Sequence, residues 1–404
     1  MSGALTGIKV VDLSRILAGP WASQMLADFG AQVIKVERPK KGDDTRYWGP
    51  PFIKEACDEQ PPQAAYFHCV NRNKQSIAID ITHADGQQII CDLIKDADVL
   101  IENYKVGGLA KYGLDYISLS RLNPKLVYCS ITGFGQTGPC ANKAGYDAMI
   151  QGEGGLMSIT GEPEGKPMKV GVALVDIMTG LYACNAILAA LMSRQQSQKG
   201  QYIDIALLDV QMATLANQGM NYLACGKNPT RLGNAHPNIV PYQTFATSDG
   251  SIILAVGNDS QFAKFCQVIG HPDIADSPLF ATNAQRVVNR DELVPLISAV
   301  MATQPSHLWI EALEKVAVPC GPVNTLEQVF AHPQIKHRQM VRQVPDGEDN
   351  MFDTIASPIN LSDTPVEYHS APPALGQHTQ KILLEDLQMS SSIFNKLLSQ
   401  GIIG

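Results

Sequence analysis

The sequence predicts an α/β protein: a large parallel-sheet domain with a smaller α+β module in the middle of the chain. Two observations carry this. Over residues 1–225, short unbroken apolar runs alternate with helical patterns, the signature of strands covered on both faces by crossover helices. Beyond Cys225 the chain turns rich in Gly, Pro and Asn, and a different mix of elements follows.

Residues 8–13 form an apolar run ending in Asp12-Leu13-Ser14 and read as a buried strand. Ala18-Gly19-Pro20 breaks it and leads into a helix over 21–29; a proline in the first turn sacrifices no helical hydrogen bond. Gly30 closes that helix, and 33–36 is the second strand. Further strands fall at 76–81, 99–104, 126–131 and 202–207. The helix over 83–97 places Ile89, Ile90, Leu93, Ile94 and Ala97 on one face. Other helices are expected at 116–122, at 176–194 (apolar enough to be buried) and at 209–224. A small α+β domain spans 226–330, with a strand at 251–256 and a return loop at Gly321-Pro322-Val323-Asn324. The polar, turn-forming stretch within 331–350 reads as a linker, and a last helix starts at Gln380.

The composition excludes several classes. The 404 residues carry a net charge of -8 with no Lys/Arg-rich run, which argues against nucleic acid. Nine cysteines are an odd number without a CxxC pair; they read as reduced thiols rather than a disulfide framework. The nine histidines show no HExxH, so no metal site is expected. No presequence pattern and no membrane-length apolar run stand out, so the expectation is a cytoplasmic protein without a membrane partner.

Gly133-Phe134-Gly135-Gln136-Thr137-Gly138 matches GxGxxG after a strand. The last glycine of a dinucleotide fingerprint lies inside the opening helix. Here Pro139 follows it, and the next helix is expected only near Ala144. An NAD-dependent oxidoreductase rests on this motif alone. No P-loop and no GxSxG elbow is present. Asp176 follows an apolar run and opens a long apolar helix. It reads either as an N-cap or as an ionised, partly desolvated nucleophile. Arg38 and Asn103-Tyr104 end strands, and strand C-termini of a parallel sheet face the ligand crevice. An ordinary exposed arginine is the competing reading for Arg38.

Eight short segments in fixed order resemble the class III CoA-transferases, the formyl-CoA:oxalate and carnitine CoA-transferase group. They are Val11-Asp12-Leu13-Ser14 with Ala18-Gly19-Pro20, Val33 to Arg38, Gly42-Asp43-Asp44-Thr45-Arg46, Asn71-Arg72-Asn73-Lys74, Glu102-Asn103-Tyr104, Gly133 to Pro139, Ala144-Gly145-Tyr146-Asp147, and Gly171 to Gly180. Asp44 to Phe52 and Tyr128 to Gly133 look most like the succinate–hydroxymethylglutarate type.

The resemblance implies a Rossmann-like large domain built from both chain ends, so that 1–225 and 351–404 belong together. It implies an interlocked homodimer and coenzyme A or acyl-CoA as substrate, with no tightly bound cofactor. The family's nucleophilic aspartate falls on Asp176. Its CoA-contacting positions fall on Leu17, Ala18, Arg38 and Ile79 in the first part of the sheet. They continue with Asn103, Tyr104 and Lys111, then Tyr146 and Asp147. The implied reaction moves CoA from an acyl-CoA to a free acid through aspartyl anhydride and aspartyl-CoA thioester intermediates.

The chain departs from the family pattern in places. Leu17 stands where formyl-CoA:oxalate enzymes have Gln, and Val240-Pro241-Tyr242-Gln243 replaces their Gly-rich loop. A longer dicarboxylate then fits better than oxalate. Arg15, Arg46, Arg72 and His236 are the candidate cations for its far end, each with a structural salt bridge as the alternative. An α-methylacyl-CoA racemase shares the fold, but its catalytic His position is Tyr146 here, and a phenol is a poor base near neutral pH.

Overall fold

A computed structural model of the chain describes residues 3–53, 63–346 and 351–404. It divides into two compact units. One takes the chain up to Gly154, Gly171–Thr214 and Pro333–Gly404; the other takes Gly155–Val170 and Leu215–His332.

The first unit starts with strand β1 (Lys9–Asp12), helix α1 (Ala18–Asp28) and strand β2 (Gln32–Glu37). A short helix α2 (Ala65–His68) precedes β3 (Lys74–Ala78), followed by α3 (Ala84–Lys95), β4 (Val99–Glu102), α4 (Tyr116–Leu122) and β5 (Val127–Thr132). Helices α5 (Asp147–Glu153) and α6 (Leu174–Ser197), strand β6 (Tyr202–Ala206) and helix α7 (Leu207–Thr214) complete this part. The six strands form one sheet in the order β3-β2-β1-β4-β5-β6, and every neighbouring pair is parallel. The order reverses between β1 and β4, so a ligand crevice opens at their carboxyl ends.

Alternation along each strand feeds two cores. Val11, Ile34, Ile77 and Leu100 pack with α3 and with the C-terminal residues Ile382, Phe394 and Ile403. Val10, Val33, Val99 and Ile101 face the other way, onto Leu26 of α1 and Ile187 of α6. Helix α6 is long and apolar enough to cross a membrane by length and composition. One of its faces packs along α1, while Tyr182 and Met192 are exposed, so the expectation of full burial does not hold within this chain.

In the second unit, the longer of its two segments opens with helix α8 (Ala216–Cys225). A three-stranded antiparallel sheet of β7 (Tyr242–Ala246), β8 (Ser251–Ala255) and β9 (Cys320–Pro322) follows in the order β9-β8-β7. Its core gathers Phe262, Phe265, Leu293, Ile297 and Trp309.

Three sequence expectations need correction. The single helix over 209–224 is two, broken at Leu215, and Ala216 beyond the break takes φ 46°. Segments 155–170 and 215–225 belong to the second unit rather than the first. The expected linker contains strand β10 (Val341–Pro345), which pairs antiparallel with β11 (Met351–Ile355). Most of their side chains are exposed, so little hydrophobic alternation marks them in the sequence. Residues 347–350 of that linker lie outside the described residues.

Candidate active site

The crevice rests on a buried ionic network that joins the carboxyl end of β1, the middle of β2 and the start of β3. Lys35 Nζ meets Asp43 Oδ2 at 2.9 Å and donates to Ser14 O at 3.0 Å. Lys74 Nζ lies 3.3 Å from Asp12 Oδ2 and donates to Asn71 Oδ1 at 3.0 Å. Burial alone raises the Asp12 carboxyl, but Lys74, Lys35 and the Ser14 and Ser23 hydroxyls hold it below its ordinary value. Breaking such a buried pair leaves an uncompensated charge, so the network pins the loops after β1 and β2.

This network claims two of the candidate substrate cations. Arg46 grips Glu37 with both arms, Nε to Oε2 at 2.8 Å and Nη2 to Oε1 at 2.6 Å, and its guanidinium lies over Phe67. Arg72 holds Asp28 at 2.9 and 2.5 Å and donates to Ile355 O at 2.8 Å. Both arginines are 5% exposed. Their structural alternative is the one the geometry supports: each guanidinium is occupied within the fold.

Several of the other candidate residues lie together at the ends of β1, β2 and β4. Asn103, just after β4, accepts from Arg15 N at 2.9 Å and donates to Arg15 O at 2.7 Å. Arg15 also pairs with Asp44 at 2.9 Å, lies over Tyr104, and keeps a buried Nε without a partner. A cleft lined by Arg15, Arg38, Ile79 and Tyr104 opens here. Arg38 is exposed and enters no ion pair among the described residues. Between Arg15 and the buried Leu17 and Ala18, Ile16 takes φ 73°, a conformation unusual for a β-branched residue and typical of functional turns. Lys111 is exposed farther along, over the Tyr112 ring.

Asp176 lies in the first turn of α6, where Ala173 is the N-cap and contributes no side-chain bond. The N-cap reading of Asp176 is therefore corrected. The cap comes from Asp147, the first residue of α5, whose Oδ1 accepts from Val175 N at 2.8 Å and Asp176 N at 3.2 Å. Burial, and then the negative charge of Asp147, push the Asp176 carboxyl up to about 7. Such a carboxylate is more basic than an exposed one and a better nucleophile once ionised.

Two close approaches put these residues in place. A Cβ on Gly180 would stand 2.7 Å from Ala18 O and 2.8 Å from Trp21 Cβ, so only glycine lets α6 cross α1 this tightly. A Cβ on Gly133 would stand 2.6 Å from Gly145 Cα, which draws the segment carrying the exposed Tyr146 and the half-buried Asp147 onto the loop after β5. That loop, Gly133 to Gly138, runs into turns, and the next helix begins at Asp147 rather than near Ala144. It therefore lacks the helix that a dinucleotide fingerprint requires.

Sequence reasoning missed Tyr66, on α2. Its phenol is pushed up to about 12 by burial and by the charges of Asp176, Cys69, Asp147 and Asp43. It also missed Glu102, which accepts from Ser130 Oγ and, at 2.7 Å, from Tyr104 N. Burial raises the Glu102 carboxyl to about 7. It borders a second cavity of about 380 Å³ lined by Tyr116, Tyr128, Gln136 and Tyr202. His236 belongs to the second unit, where its Nδ1 accepts from Asn238 N at 3.0 Å and its ring meets Tyr242. Among the described residues, no three His, Cys, Asp or Glu side chains gather as a metal site.

The model of CoA-transferase family III matches residues 5–379. A succinate–glutarate CoA-transferase of Agrobacterium fabrum is 52% identical, covering 94% of this chain and 95% of its own. A succinyl-CoA:glutarate CoA-transferase of Homo sapiens is 42% identical, covering 99% and 90%. The crystal structure of a CAIB/BAIF family protein from Brucella suis superposes with a TM-score of 0.84 at 51% identity, covering 95% of this chain and 100% of its own. These matches show that the chain belongs to CoA-transferase family III and is an enzyme that transfers CoA between carboxylic acids.

Proposed function

We propose that this enzyme takes CoA from succinyl-CoA and passes it to a dicarboxylate, glutarate first among the candidates, with Asp176 as the covalent nucleophile. The observation that carries the mechanism is the Asp176 carboxyl itself. It is largely buried, raised to about 7, and held at the start of a helix by backbone bonds to another side chain. The names of the relatives from Agrobacterium fabrum and Homo sapiens support the substrates.

The chemistry follows in balanced steps. An Asp176 oxygen attacks the thioester carbonyl, the C–S bond breaks, and the CoA thiolate leaves a succinyl–aspartyl anhydride behind. The thiolate attacks the aspartyl carbonyl and expels succinate, giving an aspartyl-CoA thioester. The acceptor carboxylate attacks that carbonyl, releases the thiolate and forms a second anhydride. The thiolate then attacks the acceptor's carbonyl and frees Asp176. Each step exchanges one activated acyl bond for another, so no ATP is consumed. Water must be excluded, because it would hydrolyse either anhydride.

In this reading the cleft of Arg38, Ile79 and Tyr104 takes the nucleotide end of CoA, since a guanidinium with no ion pair among the described residues suits phosphate or adenine. Leu17, Ala18, Asn103, Lys111, Tyr146 and Asp147 complete the CoA contacts. Of the four candidate cations, Arg15 is the one left for the far carboxylate of the acid; His236 lies in the second unit, and burial and Arg290 hold its imidazole below its ordinary value. The exposed apolar side chains Tyr182 and Met192 on α6 support a homodimer, and an odd number of cysteines without a CxxC pair supports a reducing, cytoplasmic setting. Incubation with succinyl-CoA and a panel of C2–C6 mono- and dicarboxylates, read by the mass of new thioesters, tests the assignment. Glutaryl-CoA is the expected main product; a dominant oxalyl-CoA, or no transfer to any dicarboxylate, would overturn it.

A further inference from the structure

The capping of α6 raises a question that the nucleophile alone does not answer: what holds the cap. Asp147 uses one oxygen for the Val175 and Asp176 amides. Its other oxygen, Oδ2, accepts from Gln151 Nε2 at 2.6 Å. Gln151 lies four residues on, one turn along α5, and is fully buried.

We propose that Gln151 is a positioning residue for the transfer reaction: it fixes the Asp147 carboxylate, and Asp147 in turn aims the first turn of the helix that carries Asp176. The inference rests on Asp176 being the nucleophile. Three features support it. Ala173 offers α6 no cap of its own, so the direction of that first turn depends on a side chain from another helix. A carboxylate bonded through one oxygen alone can swing about its Cβ–Cγ bond; a donor on the second oxygen removes that freedom. Ile150, buried beside Gln151 among α6 residues, anchors α5 to the same core.

The choice of glutamine has its own logic. The groups facing Asp176 are Asp147 from α5 and the Tyr66 phenol from α2. A lysine in place of Gln151 would neutralise Asp147 and weaken its effect on Asp176. A neutral amide holds Asp147 and leaves its charge in force, so Asp176 stays basic. Small errors matter here: displacing a reacting group by about 1 Å can cost ~100-fold in rate.

The test compares wild type with Gln151→Met, which keeps the shape and removes the donor, and with Asp147→Asn, which keeps a cap and removes the charge. Steady-state kinetics with succinyl-CoA and glutarate are combined with hydroxylamine trapping and peptide mapping of residue 176. For Gln151→Met, kcat and the labelling rate at 176 are expected to fall together by ~10–100-fold, with KM for succinyl-CoA within about twofold, as expected when only transition-state alignment is lost. For Asp147→Asn, the acidic limb of kcat is expected to move to lower pH. Gln151→Met with wild-type kcat and labelling, or with only KM raised, would overturn the positioning role. If Gln151→Met fails to fold, an unmoved acidic limb in Asp147→Asn overturns it. A wild type that never labels at 176 sinks the nucleophile reading instead, and with it this inference.

Discussion

Asn103 clasps the main chain of Arg15 from both sides, accepting from its N–H at 2.9 Å and donating to its carbonyl at 2.7 Å. These two bonds bridge the ends of β1 and β4 at the point where the strand order reverses, and they hold the turn in which Ile16 takes φ 73°. Replacing Asn103 with Ala removes both, at ~1 kcal/mol each. KM for acyl-CoA is expected to rise ~10-fold or more, with a smaller change in kcat. Steady-state kinetics at saturating acceptor check this.

The Asp176 carboxyl is raised to about 7 by burial and by Asp147, which gives two opposite pH effects. Below that value the group is protonated and not nucleophilic, so kcat/KM is expected to fall about tenfold per pH unit on the acid side of 7. Stability runs the other way. A carboxyl whose folded value lies above its unfolded value destabilises the fold once ionised. The cost is absent below about pH 4 and complete above about 7, with an upper bound of ~4 kcal/mol. Asp176→Asn is therefore expected to abolish transfer, and to raise Tm over wild type at pH 8 but not at pH 4. Calorimetry at the two pH values separates this from a mutation that merely disturbs packing.

Arginines with different surroundings should respond differently. Arg46→Met leaves Glu37 buried without its partner, and a loss of ~3–5 kcal/mol in stability is expected. Arg38→Met touches no ion pair among the described residues and is expected to keep Tm within about 2 °C while raising KM for acyl-CoA. Thermal unfolding beside kinetics distinguishes a fold-holding guanidinium from a ligand-binding one.

Gly180→Ala places a methyl group 2.7 Å from Ala18 O and 2.8 Å from Trp21 Cβ. Overpacking of this kind costs ~1–3 kcal/mol. Because it pushes α6 away from α1, kcat is expected to fall with the stability. Tm and kcat measured on the purified variant check both.

Much of this was legible in the chain. Strands such as 126–131 and helix 83–97 carry local periodicity, which is the signal a sequence displays most openly. Arg38, Asn103 and Tyr104 could be placed because strand ends of a parallel sheet share one side. Pairings across distance were not legible. Glu37 and Arg46 are partners only because a turn folds back over β2, and Asp147 caps a helix that starts 27 residues later. Asp176 therefore looked like a cap when it was the residue being held. The β10–β11 hairpin was hidden because most of its side chains are exposed, so little hydrophobic alternation marks it.

The claim on which the mechanism stands is that one side chain carries the acyl group during turnover. Enzyme mixed with succinyl-CoA, quenched with hydroxylamine, digested and analysed by mass spectrometry is expected to give a hydroxamate on the peptide containing Asp176, absent without the thioester and absent in Asp176→Asn. Full transfer activity with no modification at that position, or activity retained by Asp176→Asn, would contradict it.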